Sequence, residues 1–351
     1  MDALSLIKDV AARAGVSSAT VSLVMNGKPG ISEETRLAVQ QAARELGYTP
    51  PRVARRAARL QHVRSVQFIV YRKHGRVVGD TPFFSSLLEG AEKQARQSGL
   101  NLLIAYSSGP AEAEAQLRRA QETGCCGLLV LATEMEKDDL APFLAGGIPL
   151  VVVDNAFADV PVDAIVMDNA QGARDAVQLL VQRGFTQIGH LRSSTQIHNF
   201  VRRRSGYREA LQQAGLPQDP AQEYEIGSTP ESAYTDMKAL LRKGRPLPQA
   251  FFADNDILAL GALRALREAG YRVPQDVSLI GFDDIPMCEL SDPPLSTVRV
   301  EKEYIGRLAV ERLVCRLDEP DQPAVCIQVR TAVAARGSVG RAAGKEEKHD
   351  L

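Results

Sequence analysis

The sequence predicts an α/β protein with an all-α N-terminal head and a two-lobed core of doubly wound parallel sheets. Apolar residues of the first fifty positions recur at helical spacing, with no strand-like alternation. From Val66 onward, short apolar runs alternate with amphipathic segments, a pattern typical of parallel strands covered by helices on both faces. This part spans about 270 residues, too many for one such sheet, so we expect two similar lobes.

Composition limits the class of protein. The 351 residues are 44% hydrophobic and 24% charged, as in globular proteins of two or three domains. Charged residues interrupt the N-terminal stretch where a signal peptide would be apolar, and no apolar run is long enough to span a membrane. The five cysteines form no CxxC pair. We therefore expect a reduced, cytoplasmic protein without a membrane partner.

The net charge of −1 hides an asymmetry. Residues 1–64 carry ten Lys or Arg and five Asp or Glu, which gives +5 and leaves −6 for the rest of the chain. Eight basic residues and no acidic residue lie between Glu45 and Asp80. Such a basic segment suits contacts with phosphates, although a solvated basic surface is the alternative interpretation.

Three helices are expected in the head. The first ends at Gly15, Ser17 caps the second, and Ser32 caps the third. Val21 and Val24 face inward on the second helix. The buried side of the third comprises Thr35, Val39, Ala42, Ala43 and Leu46. This arrangement predicts a helix-turn-helix whose second helix reads the major groove of double-stranded DNA.

Eight short apolar runs are the strand candidates of the core. They are Val66–Tyr71, Asn101–Tyr106, Gly127–Ala132, Pro149–Asp154, Ile165–Asp168, Gln187–Leu191, Gln249–Ala253 and Val277–Phe282. Residues 337–351 have a low-complexity composition and are expected to form a disordered tail.

An ordered series of motifs resembles the LacI/GalR family of transcriptional repressors over roughly residues 5–336. In the head these are Ile7–Ser22, Asn26-Gly27, Ser32–Arg36 and Glu45–Pro50, and in the core Asp254–Gly261 and Asp276–Asp284. The resemblance implies a core shaped like a periplasmic sugar-binding protein, in which the chain crosses three times between an N-lobe and a C-lobe. The expected division is 1–49 for the head, 50–64 for a hinge, 65–165 and 296–322 for the N-lobe, and 166–295 and 323–336 for the C-lobe.

The resemblance also implies which residues contact DNA. Ser18, Ala19 and Leu23 would face base edges, although Ser18 could instead only cap the helix. Thr20, Ser22 and Asn26 suit phosphate contacts.

Residues 50–60 match the family's hinge helix, which inserts into the minor groove. Its expected contacts are Arg52, Arg55, Arg56 and Ala57. Many relatives carry a leucine wedge where this chain has Ala57, so either Leu60 replaces it or the DNA is kinked less. A flexible basic linker is the alternative to a hinge helix.

A ligand is expected in the cleft between the lobes, at the carboxyl ends of the parallel strands. Asp154, Asn255, Asp256 and Asp283 follow strands there and can accept hydrogen bonds from hydroxyl groups. The resemblance adds Arg203, the aromatic Phe83 and Phe84, and Asn199 one helical turn before Arg203. Other roles are open for several of them: Asp154 and Asp283 as caps or inter-lobe acceptors, Asp256 as a helix N-cap, and Phe83 as core.

The motifs of several enzyme classes are missing. The sequence has no GxxxxGK[ST] loop, no GxGxxG after the first core strand and no GxSxG elbow, and its five histidines lack i,i+4 partners. We therefore expect no enzyme, no cofactor and no metal site.

The sequence favours a dimeric repressor that binds operator DNA and is controlled by a small-molecule effector, with a sugar as the first candidate. A repressor controlled by a purine or a partner protein is the second hypothesis. The third is a binding protein or dinucleotide enzyme with a coincidental basic head.

Overall fold

A computed structural model describes residues 3–25, 31–46, 48, 64–79, 82–244 and 246–342. The chain divides into two compact units, Met1–Arg64 and Ser65–Leu351. Among the described residues, no helix is both long and apolar enough to cross a bilayer.

The described part of the first unit contains three helices, α1 (Ala3–Arg13), α2 (Ser18–Met25) and α3 (Glu33–Glu45). They enclose a small core that includes Val10, Val21, Val24, Val39, Ala42 and Ala43. Gly15 adopts a positive φ of 65° in the turn between α1 and α2, a conformation that glycine adopts without strain. The prediction that Leu46 lies on the buried side is wrong, because α3 ends at Glu45 and Leu46 leaves the helical face.

The N-lobe is built on a six-stranded parallel sheet in the order β11-β5-β4-β3-β1-β2. Its strands are β1 (Ser65–Tyr71), β2 (Asn101–Ser107), β3 (Gly127–Leu131), β4 (Leu150–Val153), β5 (Asp163–Met167) and β11 (Cys326–Val329). The helices of this lobe are α4 (Pro82–Gln97), α5 (Pro110–Glu122), α6 (Ala141–Ala145) and α12 (Lys302–Asp318). Gly306 lets α12 pack closely on α4, since a Cβ there would lie 2.0 Å from the Leu87 carbonyl oxygen.

The C-lobe is built on a four-stranded parallel sheet in the order β7-β6-β8-β9. Its strands are β6 (Ile188–Ser193), β7 (Glu223–Ile226), β8 (Ala250–Ala253) and β9 (Ser278–Ile280). Helices α7 (Asn169–Gln182), α8 (His198–Gln213), α9 (Pro230–Arg242), α10 (Asp256–Glu268) and α11 (Met287–Leu290) complete it. The predicted fold class, a helical head with a two-lobed parallel-sheet core, is confirmed.

The chain passes between the two large sheets three times. The first passage joins β5 to α7, and the other two run through β10 (Thr297–Arg299) and β12 (Ala332–Ala334), which pair with each other antiparallel. The placement of residues 323–336 in the C-lobe is wrong for β11, which pairs with β5. The cause is the buried Asp163 of β5, which accepts a hydrogen bond from the Val325 N–H and pairs with Arg312 and Arg316 of α12.

The disordered tail predicted from Gly337 begins too early. Ser338 is buried: its hydroxyl donates to the Leu279 carbonyl at 2.6 Å and accepts from the Ser296 N–H at 2.7 Å. The Gly340 N–H donates to the Ser278 hydroxyl at 3.0 Å. Residues 337–342 are therefore packed on the C-lobe, and residues 343–351 of the predicted tail lie outside the described residues.

Candidate functional site

A cavity of about 310 Å³ lies between the two lobes, beyond the carboxyl ends of their parallel strands. Polar groups from both lobes line it, together with several aromatic and aliphatic side chains. Its volume is at the lower end of the range for small-molecule sites. This is the edge of the sheets at which ligands of open α/β folds bind.

The C-lobe wall of the cavity is organised around Arg203 of α8, which is only 3% exposed. Its guanidinium donates to Asn169 Oδ1 at 2.9 Å, to the Asp254 carbonyl at 2.5 Å, and to Asp283 Oδ1 at 3.1 Å. A fourth contact runs to Met167 Sδ at 3.3 Å, so four of the five N–H groups of the guanidinium have partners in the protein. The guanidinium also stacks 3.7 Å from the centroid of the Phe282 ring.

The close packing of α8 on α7 places Arg203 beside Asn169. A Cβ on Gly206, one turn after Arg203, would lie 2.2 Å from the Ala170 carbonyl oxygen. Only glycine permits this approach, and it brings the first residue of α7 within hydrogen-bond distance of the arginine.

A chain of hydrogen bonds connects this wall to the N-lobe. Asp154, which follows β4, accepts from the Thr133 hydroxyl at 2.5 Å and from Asn199 Nδ2 at 3.1 Å. Asn199 in turn accepts from Asn169 Nδ2 at 3.0 Å. Thr133 and Asp154 belong to the N-lobe, whereas Asn169 and Asn199 belong to the C-lobe. The Asp154–Asn199 bond is therefore a direct polar link across the cleft.

The backbone at two of these carboxylates adopts conformations that are uncommon for non-glycine residues. Asp154 has a φ of 67° and Asp283 a φ of 116°. Burial raises the pKa of Asp154 to about 6, against the hydrogen bond from Thr133 and the charge of Arg203. Burial also raises the pKa of Asp283, despite the opposing charges of Arg203 and Lys302. Strained backbone and perturbed carboxylates in one cleft are features of functional sites.

The N-lobe wall includes the loop of residues 73–79, which follows β1 and is folded around the buried carboxylate of Glu134. Glu134 accepts four backbone N–H groups at 2.8–3.0 Å, from His74, Gly75, Val77 and Val78. Burial alone would raise the pKa of Glu134, but these four hydrogen bonds outweigh it and hold the pKa below its usual value. The loop thereby presents Gly75, Arg76, Val77 and Gly79 to the cavity.

Apolar faces complete the cavity. Phe83 and Phe84 at the start of α4 pack edge to face, with ring centroids 5.0 Å apart. Ile197, Phe200 and Ile257 line the opposite side. The cavity thus offers donors, acceptors and flat apolar surfaces to the same ligand.

In the head, α2 has a buried face and an exposed face. Val21 and Val24 are buried in the head core, whereas Ala19, Ser22 and Leu23 are exposed, Leu23 by 42%. The helix begins where Ser17 accepts a hydrogen bond from the Thr20 N–H at 3.1 Å. An apolar side chain held on the outer face of a short helix after a tight turn suits contact with another molecule.

Two family models match separate parts of the chain. The model of the bacterial regulatory proteins of the lacI family matches residues 6–51, and that of the periplasmic binding protein-like domain matches residues 177–339. The ribose operon repressor of Haemophilus influenzae is 32% identical over 321 residues, covering 91% of this chain and 94% of that protein. The chain belongs to the LacI family of bacterial regulatory proteins. It is therefore a DNA-binding transcriptional repressor, and the predicted resemblance is confirmed.

Other members of the LacI family agree with this assignment. The repressor PurR of Escherichia coli is 33% identical over 339 residues, covering 96% of this chain and 97% of PurR. The structure of the transcriptional regulator CelR in complex with cellobiose matches with a TM-score of 0.71 at 30% identity, covering 95% of this chain and 99% of CelR. The lac repressor dimer bound to operator and anti-inducer matches with a TM-score of 0.71 at 26% identity, covering 95% and 98%.

The structure of this LacI-family repressor places seven of the eight predicted ligand residues on the cavity lining: Phe83, Phe84, Asp154, Asn199, Arg203, Asn255 and Asp283. Their contact with a ligand stays a prediction. Two alternative roles are also present, since Asp154 accepts the inter-lobe hydrogen bond and Phe83 is part of the hydrophobic core.

The eighth predicted residue, Asp256, does not line the cavity. Its carboxylate accepts from the Thr297 hydroxyl at 2.6 Å and from the Ile285 N–H at 3.0 Å. Burial, followed by the charge of Asp283, raises the pKa of Asp256 to about 7. The suggested N-cap role of Asp256 is also wrong, because Asn255 caps α10 by accepting from the Leu258 N–H. Helix α10 thus begins one residue earlier than expected and turns Asp256 into the interior.

Of the predicted DNA contacts, Ser18, Ala19, Thr20, Ser22 and Leu23 lie on α2. Ser18 and Thr20 are half-buried, and the Thr20 hydroxyl lies 2.9 Å from that of Ser17. The remaining predicted contacts, Asn26, Arg52, Arg55, Arg56 and Ala57, lie outside the described residues, as does Leu60.

Sequence reasoning missed three residues that shape the cleft: Thr133, Glu134 and Asn169. Thr133 and Glu134 follow β3 and so lie at a carboxyl strand end, the same signal that identified Asp154. Asn169 begins α7 directly after β5. Within the described part of the chain, no three His, Cys, Asp or Glu side chains are placed to hold a metal ion.

Proposed function

We propose that this repressor binds a sugar or sugar derivative in the inter-lobe cavity, and that the bound sugar controls its affinity for operator DNA in the cytoplasm. The observation that carries the proposal is the composition of the cavity. Asp154, Asp283 and Asn255 offer acceptors, one N–H of Arg203 offers a donor, and Phe83 and Phe84 offer flat apolar faces. A sugar ring presents hydroxyl groups at its edge and C–H groups on its faces, which matches this combination.

Two relatives support a sugar. One is a ribose operon repressor, and CelR was solved with cellobiose. A purine is the second candidate, because Phe83, Phe84 and Phe200 could stack on a base.

For DNA recognition, we propose that Ser18, Ala19 and Leu23 face base edges and that Thr20, Ser22 and Asn26 contact phosphates. The exposure of Ala19 and Leu23 supports this assignment for α2. The hinge segment 50–64, with Arg52, Arg55, Arg56 and Ala57, would add contacts in the minor groove and to phosphates.

We also propose that the protein acts as a homodimer. Strand β2 is at an edge of the N-lobe sheet, and its Leu103, Ile104 and Tyr106 are 46%, 51% and 52% exposed. An exposed apolar edge strand promotes aggregation unless another surface covers it. A second copy of the chain would cover it and supply the second head that a palindromic operator requires.

The hydrogen bond between Asp154 and Asn199 across the cleft suggests how a ligand would change the affinity for operator DNA. Asp154 of the N-lobe accepts from Asn199 of the C-lobe, next to the cavity. A ligand that bonds to both lobes would change the angle at which they close. In a dimer this changes the spacing of the two hinges, and so links the ligand site to the operator site by a reciprocal coupling free energy.

A thermal-shift screen of the full chain with sugars, sugar phosphates and purines tests the ligand class. A ligand that binds only the folded state raises the melting temperature in a concentration-dependent way. We expect neutral sugars to give the largest shift. If purines alone raise the melting temperature, the effector is a purine. If no small molecule raises it, control by a partner protein is favoured.

A further inference from the structure

Asp256, the first residue of α10, is fully buried and joins three segments of the chain. Its carboxylate accepts from the Thr297 hydroxyl at 2.6 Å and from the Ile285 N–H at 3.0 Å. Its own N–H donates to the Phe282 carbonyl at 2.8 Å. The residue thus connects the start of α10 with the loop that follows β9 and with β10, one of the strands that pass between the lobes.

Three donors converge on the carboxylate of Asp256. The Cys288 thiol of α11 donates to it, in addition to the Thr297 hydroxyl and the Ile285 N–H. A carboxylate accepts hydrogen bonds on both oxygens, whereas a carboxamide would turn its NH2 group towards one of the donors. A Cβ on Gly281 would lie 2.2 Å from Asp256 Oδ1, so glycine at this position makes room for the carboxylate.

Residues on both sides of this junction line the cavity. Asn255 directly precedes Asp256, and Asp283 belongs to residues 281–285, which we call the ligand loop. The two backbone groups of the ligand loop that bond to Asp256 lie one residue before Asp283 and two residues after it. A ligand that shifts Asn255 or Asp283 therefore acts directly on Asp256.

The ligand loop is also attached to β10 and to the N-lobe. The Asp283 N–H donates to the backbone of β10 at 2.9 Å, and the Asp284 N–H donates to the Thr297 hydroxyl at 3.3 Å. Lys302, the first residue of α12 in the N-lobe, donates to the carbonyls of Asp283 and Asp284 at 2.5 and 3.0 Å. The ligand loop, β10 and the start of α12 thus form one connected unit, which Asp256 joins to the body of the C-lobe.

Among the charges around this junction, that of Asp283 acts most strongly on Asp256. Besides Lys302, the segments packed against Asp256 carry these charged or titratable side chains: Asp283, Asp284, Cys288, Glu289, Arg299 and Arg336. Asp284 pairs with Arg299 at 2.8 Å and with Arg336 at 2.7 Å, and Arg336 also pairs with a second carboxylate. Burial, followed by the charge of Asp283, raises the pKa of Asp256 to about 7. A ligand that bonds to Asp283 therefore also changes the electrostatic potential at Asp256.

We propose that Asp256 is the positioning residue that transmits effector binding from the cavity to β10, and so to the relative angle of the lobes, without contacting the effector itself. This inference rests on the proposed effector control of operator binding, which it makes more specific. Substitution of Asp256 should reduce the coupling between the two binding sites far more than it reduces the affinity for the effector.

The test uses the full chain and measures two quantities for each variant. The first is the dissociation constant of a sugar in the absence of DNA, measured by titration calorimetry. The probes are ribose, glucose, galactose, cellobiose and lactose, and the one that wild type binds most tightly is kept. The second is the coupling factor, which is the ratio of the operator dissociation constants with and without saturating sugar, for a DNA fragment that the protein selects from its genome.

Four variants separate transmission from other roles. Asp256→Asn keeps the size of the side chain but offers one acceptor oxygen to three donors. Thr297→Val removes the hydroxyl that reaches Asp256 from β10, and Thr297→Ser retains a hydroxyl there. Asp276→Asn is the matched control, because Asp276 is an exposed carboxylate of the same lobe. Melting temperatures without sugar check that each variant is folded.

We expect a coupling factor of about fivefold or more for wild type, and below about twofold for Asp256→Asn and Thr297→Val. The sugar affinity without DNA should change by less than about threefold in both variants. Thr297→Ser and Asp276→Asn should keep the wild-type coupling factor. Combining Asp256→Asn with Thr297→Val should cost no more coupling than either change alone, because both act through one hydrogen bond.

A pH series distinguishes transmission from a general loss of packing. A protonated Asp256 resembles asparagine, because only one of its oxygens remains a full acceptor. Since its pKa is about 7, the wild-type coupling factor should be larger at pH 8 than at pH 6, and Asp256→Asn should show a smaller change. Asp154 titrates in both proteins, so the difference between them reports on Asp256.

Two results overturn this inference while the proposed function stands. Asp256→Asn and Thr297→Val could keep the wild-type coupling factor, which would show that the junction does not transmit binding. They could instead weaken sugar binding without DNA by as large a factor as they reduce the coupling, which would make Asp256 part of the cavity wall. If no probe changes the operator affinity of the wild-type protein, the proposed function fails and this inference fails with it.

Discussion

The two walls of the cavity between the lobes are held by buried side chains of opposite charge. On the C-lobe side, the cation Arg203 donates to Asn169, to the backbone carbonyl of Asp254 and to Asp283. On the N-lobe side, the anion Glu134 accepts four backbone N–H groups from one loop. Arg203 therefore fixes groups from several elements, whereas Glu134 fixes the backbone of a single loop.

This difference predicts how much of the protein loses stability when either side chain is replaced. Removing Arg203 leaves polar groups unpaired on α7, at the Asp254 carbonyl directly after β8, and at Asp283, so the whole C-lobe should lose stability. Replacing Glu134 by a weaker hydrogen-bond acceptor frees the backbone of loop 73–79 only. The loss of stability should therefore remain local to the cleft. Substitutions at Arg203 and Glu134 test whether the two walls differ in this way.

The largest effect is expected for Arg203→Ala. The Asp283 carboxylate loses the cation that is hydrogen-bonded to it, a change that typically destabilises a fold by about 3–5 kcal/mol. We expect the ligand response to disappear while the folded fraction still binds operator, because the head is a separate compact unit. Urea unfolding measures the loss, with the exposed neighbour Arg202→Ala as control. Equal urea midpoints for the two variants would show that Arg203 does not hold its wall.

Asp154→Asn tests the link between the walls through its pH dependence. Because burial raises the pKa of Asp154 from 3.8 to about 6, its protonated form stabilises the fold at low pH. That stabilisation is lost as the pH rises through about 6. Asparagine does not titrate and tolerates the positive φ at this position. Between about pH 4 and pH 7, the free energy of unfolding of the variant should therefore rise by about 2 kcal/mol relative to wild type.

Urea unfolding of both proteins across this pH range measures the effect. A difference between Asp154→Asn and wild type that stays constant with pH would contradict the raised pKa and the buried, inter-lobe position of the carboxylate.

The smallest effect on global stability is expected for Glu134→Gln. A glutamine keeps one acceptor oxygen, so two of the four backbone N–H groups lose their partner, at a cost of about 2 kcal/mol. Hydrogen exchange at residues 74–78 should accelerate and ligand affinity should fall, while exchange in the C-lobe stays unchanged. Glu122→Gln is the matched control, because Glu122 is exposed at the end of α5 and pairs with no residue of loop 73–79. Faster exchange spread over both lobes would remove the distinction between the two walls.

The parts of the fold that the sequence predicted are those with continuous apolar runs. All eight predicted strands are present. Seven of them have side chains buried between helix layers, whereas β2 lies at an exposed edge of the N-lobe sheet. The four missed strands, β7, β10, β11 and β12, are short, and β7 and β11 alternate polar with apolar residues at a sheet edge. The position of β11 depends on Asp163, Arg312 and Arg316, which are distant in sequence and meet only in the folded protein.

The residues of the candidate site also fall into those that the sequence predicted and those that it missed. Arg203, Asp154 and Asp283 were predictable because side chains in recognisable motifs carry their chemistry. Glu134 acts on backbone N–H groups of a loop that precedes it by about sixty residues, and such groups leave no residue-type signal. Asp256 was misassigned because a shift of one residue at a helix start decides whether a side chain faces the cleft or the interior.

In the proposed function, the cleft controls operator binding. The most direct measurement is the operator dissociation constant with and without a saturating concentration of the sugar that most raises the melting temperature, using a DNA fragment that the protein selects from its genome. We expect a change of about fivefold or more, with the operator changing the affinity for that sugar by the same factor. An operator affinity that stays the same at saturating sugar would show that the cleft does not control operator binding.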